Sequence, residues 1–153
     1  MSAWEIVAAV PDPELPLLTL EDLGVLRSVD VDESGSVAVT LTPTYSGCPA
    51  LETMREDVLE ALHGAGYPSA TIHFELAPAW TTDRLGPRAR QHLSESGIAP
   101  PVDSGTPVPL SQKCPQCGSL RTWEMSHFGA TSCKALWQCR DCGEPFEHFK
   151  ALR

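Results

Sequence analysis

Cys114-Pro115-Gln116-Cys117-Gly118 and Cys139-Arg140-Asp141-Cys142-Gly143 form a repeated C-x-x-C-G, with 21 residues between the two pairs. A divalent ion held tetrahedrally needs four converging soft ligands, and two tight turns supply two thiolates each with little ordered chain. The glycine after each second cysteine permits the positive φ that turns backbone amides toward the sulfurs. Leu120 to Ser126 and Ala135 to Gln138 alternate as strands between the knuckles, and Phe146 to Phe149 supplies a third. The expectation is a β-rich zinc ribbon over 112–153, with Cys114, Cys117, Cys139 and Cys142 as ligands. So short a tail builds too small an apolar core to fold alone, and a bound metal makes up the difference. Paired disulfides are the alternative; the N-terminus has neither the basic nor the apolar region of a secretory signal, which favours metal and a cytoplasmic location. Zinc is the default ion, and an iron–sulfur cluster takes the same four thiolates. A closed set of four thiolates leaves no coordination position for water, so it is structural rather than catalytic.

Outward from the cysteines, the chain divides. It has 153 residues, 42% hydrophobic and 20% charged, and a formal charge of −9. Residues 1–110 carry five Lys+Arg against sixteen Asp+Glu; residues 111–153 carry six against four. The proline-rich stretch 99–111 reads as an extended linker. No apolar run is long enough to cross a bilayer. The acidic balance argues against nucleic acid as a partner.

Residues 1–98 alternate helical and strand patterns. Ser2-x-x-Glu5 is a capping box for a short helix ending at Pro11. Thr19-Leu20-Glu21-Asp22 caps a single turn that Gly24 ends. Val29, Val31, Val37, Val39 and Leu41 project to one face of a hairpin around Glu33-Ser34-Gly35-Ser36. Leu51, Met54, Val58 and Leu62 recur at helical spacing. Thr71 to Leu76 alternates as a third strand, and a last helix runs from near Pro87 to Ser96. The implied fold is α+β: a small mixed sheet with helices on one face, followed by the ribbon.

Four further positions carry chemistry. Cys48 precedes Pro49, which suits the first position of a helix, so Cys48 falls at the N-cap. There the orphan amides and the helix dipole favour a thiolate, a soft ligand or nucleophile; the plainer reading is a cysteine in place of a serine cap. Asp12-Pro13-Glu14 sets two carboxylates in a turn, suited to metal or acid–base work, or to a solvated connection. Cys133, next to Lys134, is either a depressed-pKa thiol and alternate metal ligand or a small buried residue. His63 and His73 have no visible partners, and His127 and His148 lie beside an already complete ligand set. No phosphate-binding loop, dinucleotide fingerprint, nucleophile elbow or H-E-x-x-H motif is present.

These residues resemble known families. Asp12-Pro13-Glu14-Leu15-Pro16, Leu23-Gly24-Val25-Leu26 and Thr44-x-x-Gly47-Cys48-Pro49 before a helix are similar to the SufT-like iron–sulfur assembly domain. The resemblance implies Asp12, Glu14, Thr44 and Cys48 as functional residues that handle a cluster or iron transiently. The knuckles, with Ser126-x-Phe128-Gly129-x-Thr131-x-Cys133-Lys134-Ala135 and Glu144-Pro145-Phe146-x-x-Phe149-Lys150, resemble the PaaD family of phenylacetate-degradation proteins. Ala130 departs from it where serine is expected. What this implies is an accessory or maturation factor of a phenylacetyl-CoA epoxidase (ring-1,2-monooxygenase) system. Its partners would be a di-iron oxygenase and an iron–sulfur flavoprotein reductase. A stoichiometric adaptor role is the alternative, and a homodimer is left open. With no long bundle helices to carry a di-iron site and no flavin fingerprint, the chain is expected to be neither the oxygenase nor the reductase.

Overall fold

Ser2 starts the first helix as its sequence requires. Its hydroxyl accepts the Glu5 amide (3.3 Å), while the Glu5 carboxylate accepts the Ser2 amide (2.6 Å), and α1 runs Ala3–Ala8. In the computed structural model, which describes residues 1–44, 49–102, 110–131 and 133–151, the chain forms two compact units, Met1–Gly86 and Pro87–Arg153.

In the first unit, β1 (Leu26–Val31) pairs antiparallel with β2 (Val37–Leu41). After α2 (Leu51–Gly64), β3 (Ala70–Phe74) lies parallel to β2, which makes the sheet mixed, in the order β1-β2-β3. Val37, Val39 and Leu41 are buried while Ala38 and Thr40 are half-buried, so one face of β2 meets the core. Helix α1 packs against α2 and β1, and α2 against β3. Met54, Val58 and Leu62 are the buried stripe of α2, at the expected spacing. Arg55, beside that stripe, donates to the Ile72 carbonyl (2.9 Å) and lies over the Phe74 ring.

Two local expectations shift. The valines of the hairpin pair as expected, Val29 with Val39 and Val31 with Val37. Yet Val31, at the last position of the edge strand β1, is half exposed. Helix α2 has Ala50 rather than Cys48 at its N-cap, with no side-chain cap bond; its first helical bond runs from the Met54 amide to the Ala50 carbonyl. Pro49 and Ala50 form a turn ahead of the helix.

The stretch 10–25 closes the unit. Thr19 and Asp22 cap each other reciprocally (both 3.1 Å), and the Trp80 indole donates to the Leu23 carbonyl (2.8 Å). Gly24 then turns the chain at φ +70° against Arg84, where a Cβ would lie 2.7 Å from the Arg84 Cβ. Leu18, Leu20, Leu23 and Val25 around it are fully buried.

In the second unit, α3 (Pro87–Glu95) leads through Gly97 to β4 (Ile98–Ala99). Then β5 (Thr122–Ser126), β6 (Lys134–Cys139) and β7 (Pro145–Phe149) form an antiparallel meander, with sheet order β4-β7-β6-β5. On β5 the register slips between Glu124 and Ser126, which makes Met125 the extra residue of a bulge. Ala99, Cys114, Ala135, Trp137, Cys139 and Phe146 form the core. The compact division falls ahead of the proline-rich stretch. Ile98 and Ala99 hydrogen-bond as a parallel edge strand on β7, the Ala99 carbonyl lies 3.1 Å from His148 Nδ1, and Arg90 donates to the Pro101 carbonyl. The start of that stretch is thus sheet edge rather than linker, and 103–109 lie outside the described residues.

Gly24→Ala should lower the melting temperature of the first unit by about 8–16 °C, from roughly 2 kcal/mol of left-handed strain and crowding. Thermal unfolding followed by circular dichroism checks this, and an unchanged midpoint would contradict the account of that turn.

Candidate metal centre

Each knuckle is one closed turn written twice. The Gly118 amide donates to the Cys114 carbonyl (2.9 Å) and the Cys114 amide to the Ser119 carbonyl (2.9 Å). In the second, Gly143 donates to Cys139 (3.1 Å) and Cys139 to Glu144 (3.0 Å). Gly118 and Gly143 take φ of +76° and +77°, the left-handed conformation that glycine alone adopts without strain. The repeat brings four sulfurs together: Cys114 lies 3.7 Å from Cys142, Cys117 lies 3.5 Å from Cys139, and all four are within 4.8 Å of one another. A tetrahedral ion with metal–sulfur bonds of about 2.3 Å has sulfur–sulfur edges of about 3.8 Å. The donor set therefore fits a single ion, whereas a multi-iron cluster interposes sulfide and spreads its thiolates further apart.

Electrostatics point the same way. The amide of Cys142, and then that of Asp141, brings the Cys139 thiol down to about 6 against the cost of burial. At Cys142 the Glu144 amide lowers the pKa, but burial and three neighbouring thiols outweigh it and push the group up to about 12. One thiolate forms readily, and a full set of four requires a cation among them.

A side-chain clamp joins the knuckles. Asp141, inside the second, accepts the Ser119 hydroxyl and Arg121 Nη1 (2.6 Å), while Ser119 Oγ in turn accepts the Arg121 amide (3.0 Å). These three residues are not among the candidates that the sequence singles out. A carboxylate within a C-x-x-C is their only signal, and its partners lie 20 and 22 positions away.

The other candidates are dispersed. Cys133 is buried with its sulfur 2.9 Å from Thr131 Oγ1. It precedes β6 while Cys139 ends it, about 20 Å away at strand rise, and so is not among the converging thiols. His148 is buried edge-on to Trp137, and desolvation lowers its pKa. His127 lies 3.4 Å from Glu124, and His63 and His73 are exposed.

In the first unit Asp12 is buried, and its Oδ1 accepts the amides of Glu14 (2.9 Å) and Leu15 (2.8 Å). Burial raises its pKa more than these amides lower it. Glu14 and Thr44 are half-buried; Thr42, which no sequence feature marked, is buried with its hydroxyl unpaired among the described residues. Cys48 lies outside the described residues. No described helix is long and apolar enough to cross a membrane.

Residues 4–73 match the model of the iron–sulfur cluster assembly protein family, and residues 99–150 that of the PaaD zinc beta ribbon domain. The chain is 43% identical over 151 residues to an Escherichia coli protein named as one subunit of a "Putative 1,2-phenylacetyl-CoA epoxidase", covering 97% of this chain and 91% of that one. A Porphyromonas gingivalis protein named Fe-S protein maturation auxiliary factor is 35% identical over 91 residues, 58% of this chain and 84% of its own length. The crystal structure of a domain of unknown function, DUF59, from Bacillus anthracis superposes with a TM-score of 0.55 at 27% identity, over 60% of this chain and 87% of that one.

Because its folded-state pKa is raised, Asp12 binds a proton more tightly in the folded chain than in the unfolded one, and stability falls as pH rises from about 4 through that higher value. Asp12→Asn keeps the acceptor without the charge, so it should hold stability at pH 7 and remove that decline. Asp12→Ala strands two amides and should cost about 1–3 kcal/mol. Urea titrations of both variants at pH 4 and pH 7 check the order.

Proposed function

We propose, for a chain that belongs to the PaaD family, that it is a cytoplasmic maturation factor of a phenylacetyl-CoA epoxidase system. In this reading it assists iron–sulfur or di-iron assembly in the partner subunits, a flavoprotein reductase and a di-iron oxygenase. One observation supports the proposal: the four cysteine sulfurs converge at a spacing that fits a single ion, while the cluster-assembly match falls on the other unit. A cage of four converging thiolates holds its ion permanently and has no position to offer a passing one. Delivery therefore belongs to the first unit, to Cys48 with the Asp12–Glu14 turn and Thr44, where one thiolate among oxygen donors makes a weak, exchangeable site. The ion of the four-cysteine cage is zinc, and it stabilises the ribbon without taking part in chemistry. The name of the Escherichia coli relative and those of the maturation factors support the two halves of this reading.

A second reading makes the chain a stoichiometric adaptor. It is favoured by Asp12, which spends one carboxylate oxygen on holding its own turn. The two separate in co-expression. With Cys48→Ser the protein should fold and keep one zinc per chain, while the iron content of the co-expressed partner subunits drops severalfold. Unchanged iron in the partners, with the chain co-purifying at fixed stoichiometry, would replace delivery by the adaptor role. Metal analysis and a visible spectrum of anaerobically purified protein identify the ion in the cage: one colourless zinc is expected, and a brown cluster in the ribbon would overturn that assignment.

A further inference from the structure

Of the nine large apolar side chains exposed among the described residues, four lie in one short stretch: Leu120, Trp123, Met125 and Phe128. The stretch includes the edge strand β5 and its flanks. Trp123 pairs with Gln138 on the sheet face opposite Thr122 and Glu124, whose partners Cys139 and Trp137 belong to the core. Exposed apolar side chains clustered in this way mark a surface that something covers.

The charges show what kind of partner fits. The Arg140 guanidinium lies over the Trp123 ring, 5.7 Å from its centroid; Lys150 Nζ lies 4.2 Å from the Phe128 centroid and donates to the His127 carbonyl (2.8 Å). Of the carboxylates of the same unit, Asp141 is held by Arg121 and Ser119, Glu147 lies 3.3 Å from the buried Lys134, Glu124 lies 3.4 Å from His127, and Glu144 is exposed between β6 and β7. Two rings are therefore exposed, each with a cation fixed over it, no more than about 18 Å apart along the chain. Trp, Met, Phe and Arg are also the residues enriched where proteins bind proteins.

We propose that this face of the β5 hairpin docks an acidic segment of a client protein, an apolar side chain against Trp123 and Phe128 flanked by carboxylates that meet Arg140 and Lys150. The assignment rests on the maturation reading above, which requires a client. Addition of a strand to β5 is disfavoured, because the bulge at Met125 interrupts the regular ladder that such pairing extends. Single-stranded nucleic acid also stacks on aromatic rings beside cations, but residues 1–86 carry fourteen Asp+Glu against three Lys+Arg and repel phosphate.

Nitrogen-15 NMR of the zinc-loaded full chain tests this with three probes: a capped peptide of one leucine between pairs of glutamates, its lysine counterpart, and an oligothymidylate. The acidic peptide should shift the amides of residues 120–128, Arg140 and Lys150, and bind severalfold more weakly at 300 mM than at 50 mM salt. Trp123→Ala and Arg140→Glu should each weaken it at least tenfold while keeping one zinc per chain. Phe128→Ala, at an exposed position, reports in place of Trp123→Ala if the latter fails to fold. Equal binding of the lysine peptide, preferential binding of the oligothymidylate, or shifts that map elsewhere or are absent would overturn the proposal. Iron in co-expressed partners reads Cys48 and not this surface, so either result can fail while the other stands.

Discussion

Four thiols drawn within 4.8 Å of one another repel as soon as more than one is charged, and that repulsion is the constraint on which the second unit depends. The amides of Asp141 and Cys142 stabilise one thiolate at Cys139, while Cys142 is pushed far above the ordinary thiol range. An ion of charge +2 resolves the conflict, and the structure is arranged around accepting it. The two glycine-closed turns set the sulfurs, and the Ser119–Asp141–Arg121 clamp fixes one turn against the other. Cys114 and Cys139 double as core residues beside Trp137 and Phe146. A metal bound by these thiols would couple its binding to the folding of this unit.

The first unit solves the opposite problem. It holds no comparable cluster among the described residues and relies on ordinary apolar burial, with Leu18, Leu20, Leu23, Val25 and Leu41 fully enclosed. Asp12 is its one buried carboxylate among the described residues, and two backbone amides offset part of the cost of that burial. A buried carboxylate bound in this way fixes the shape of its turn and leaves its second oxygen outside those two bonds. Scaffolding and ligand binding are therefore compatible at Asp12.

Local chemistry and the repeated knuckles were legible in the sequence, and the pairing of remote residues that carry no repeat was not. The Ser2–Glu5 box, the stripe of α2 and the knuckle glycines each depend on residues within a few positions of one another, and each forms as read. By contrast, Ile98 and Ala99 become a strand only because Glu147 and His148 lie alongside, 49 positions later. Nothing in a proline-rich stretch signals that. The start of α2 at Leu51 rather than Pro49 reflects a competition between a helical turn and an isolated one that composition does not decide. The Asp141 clamp escaped for the same reason as β4: its meaning lies in partners remote in sequence.

The extra residue at Met125 has a consequence for how these molecules share a cell. An uninterrupted edge strand bearing Trp123 and flanked by Leu120 and Phe128 would be a template on which identical copies could grow into filaments. One inserted residue breaks the spacing of its hydrogen-bonding groups, so a neighbouring copy finds no continuous ladder to extend. The rings remain available to a partner that recognises side chains rather than backbone.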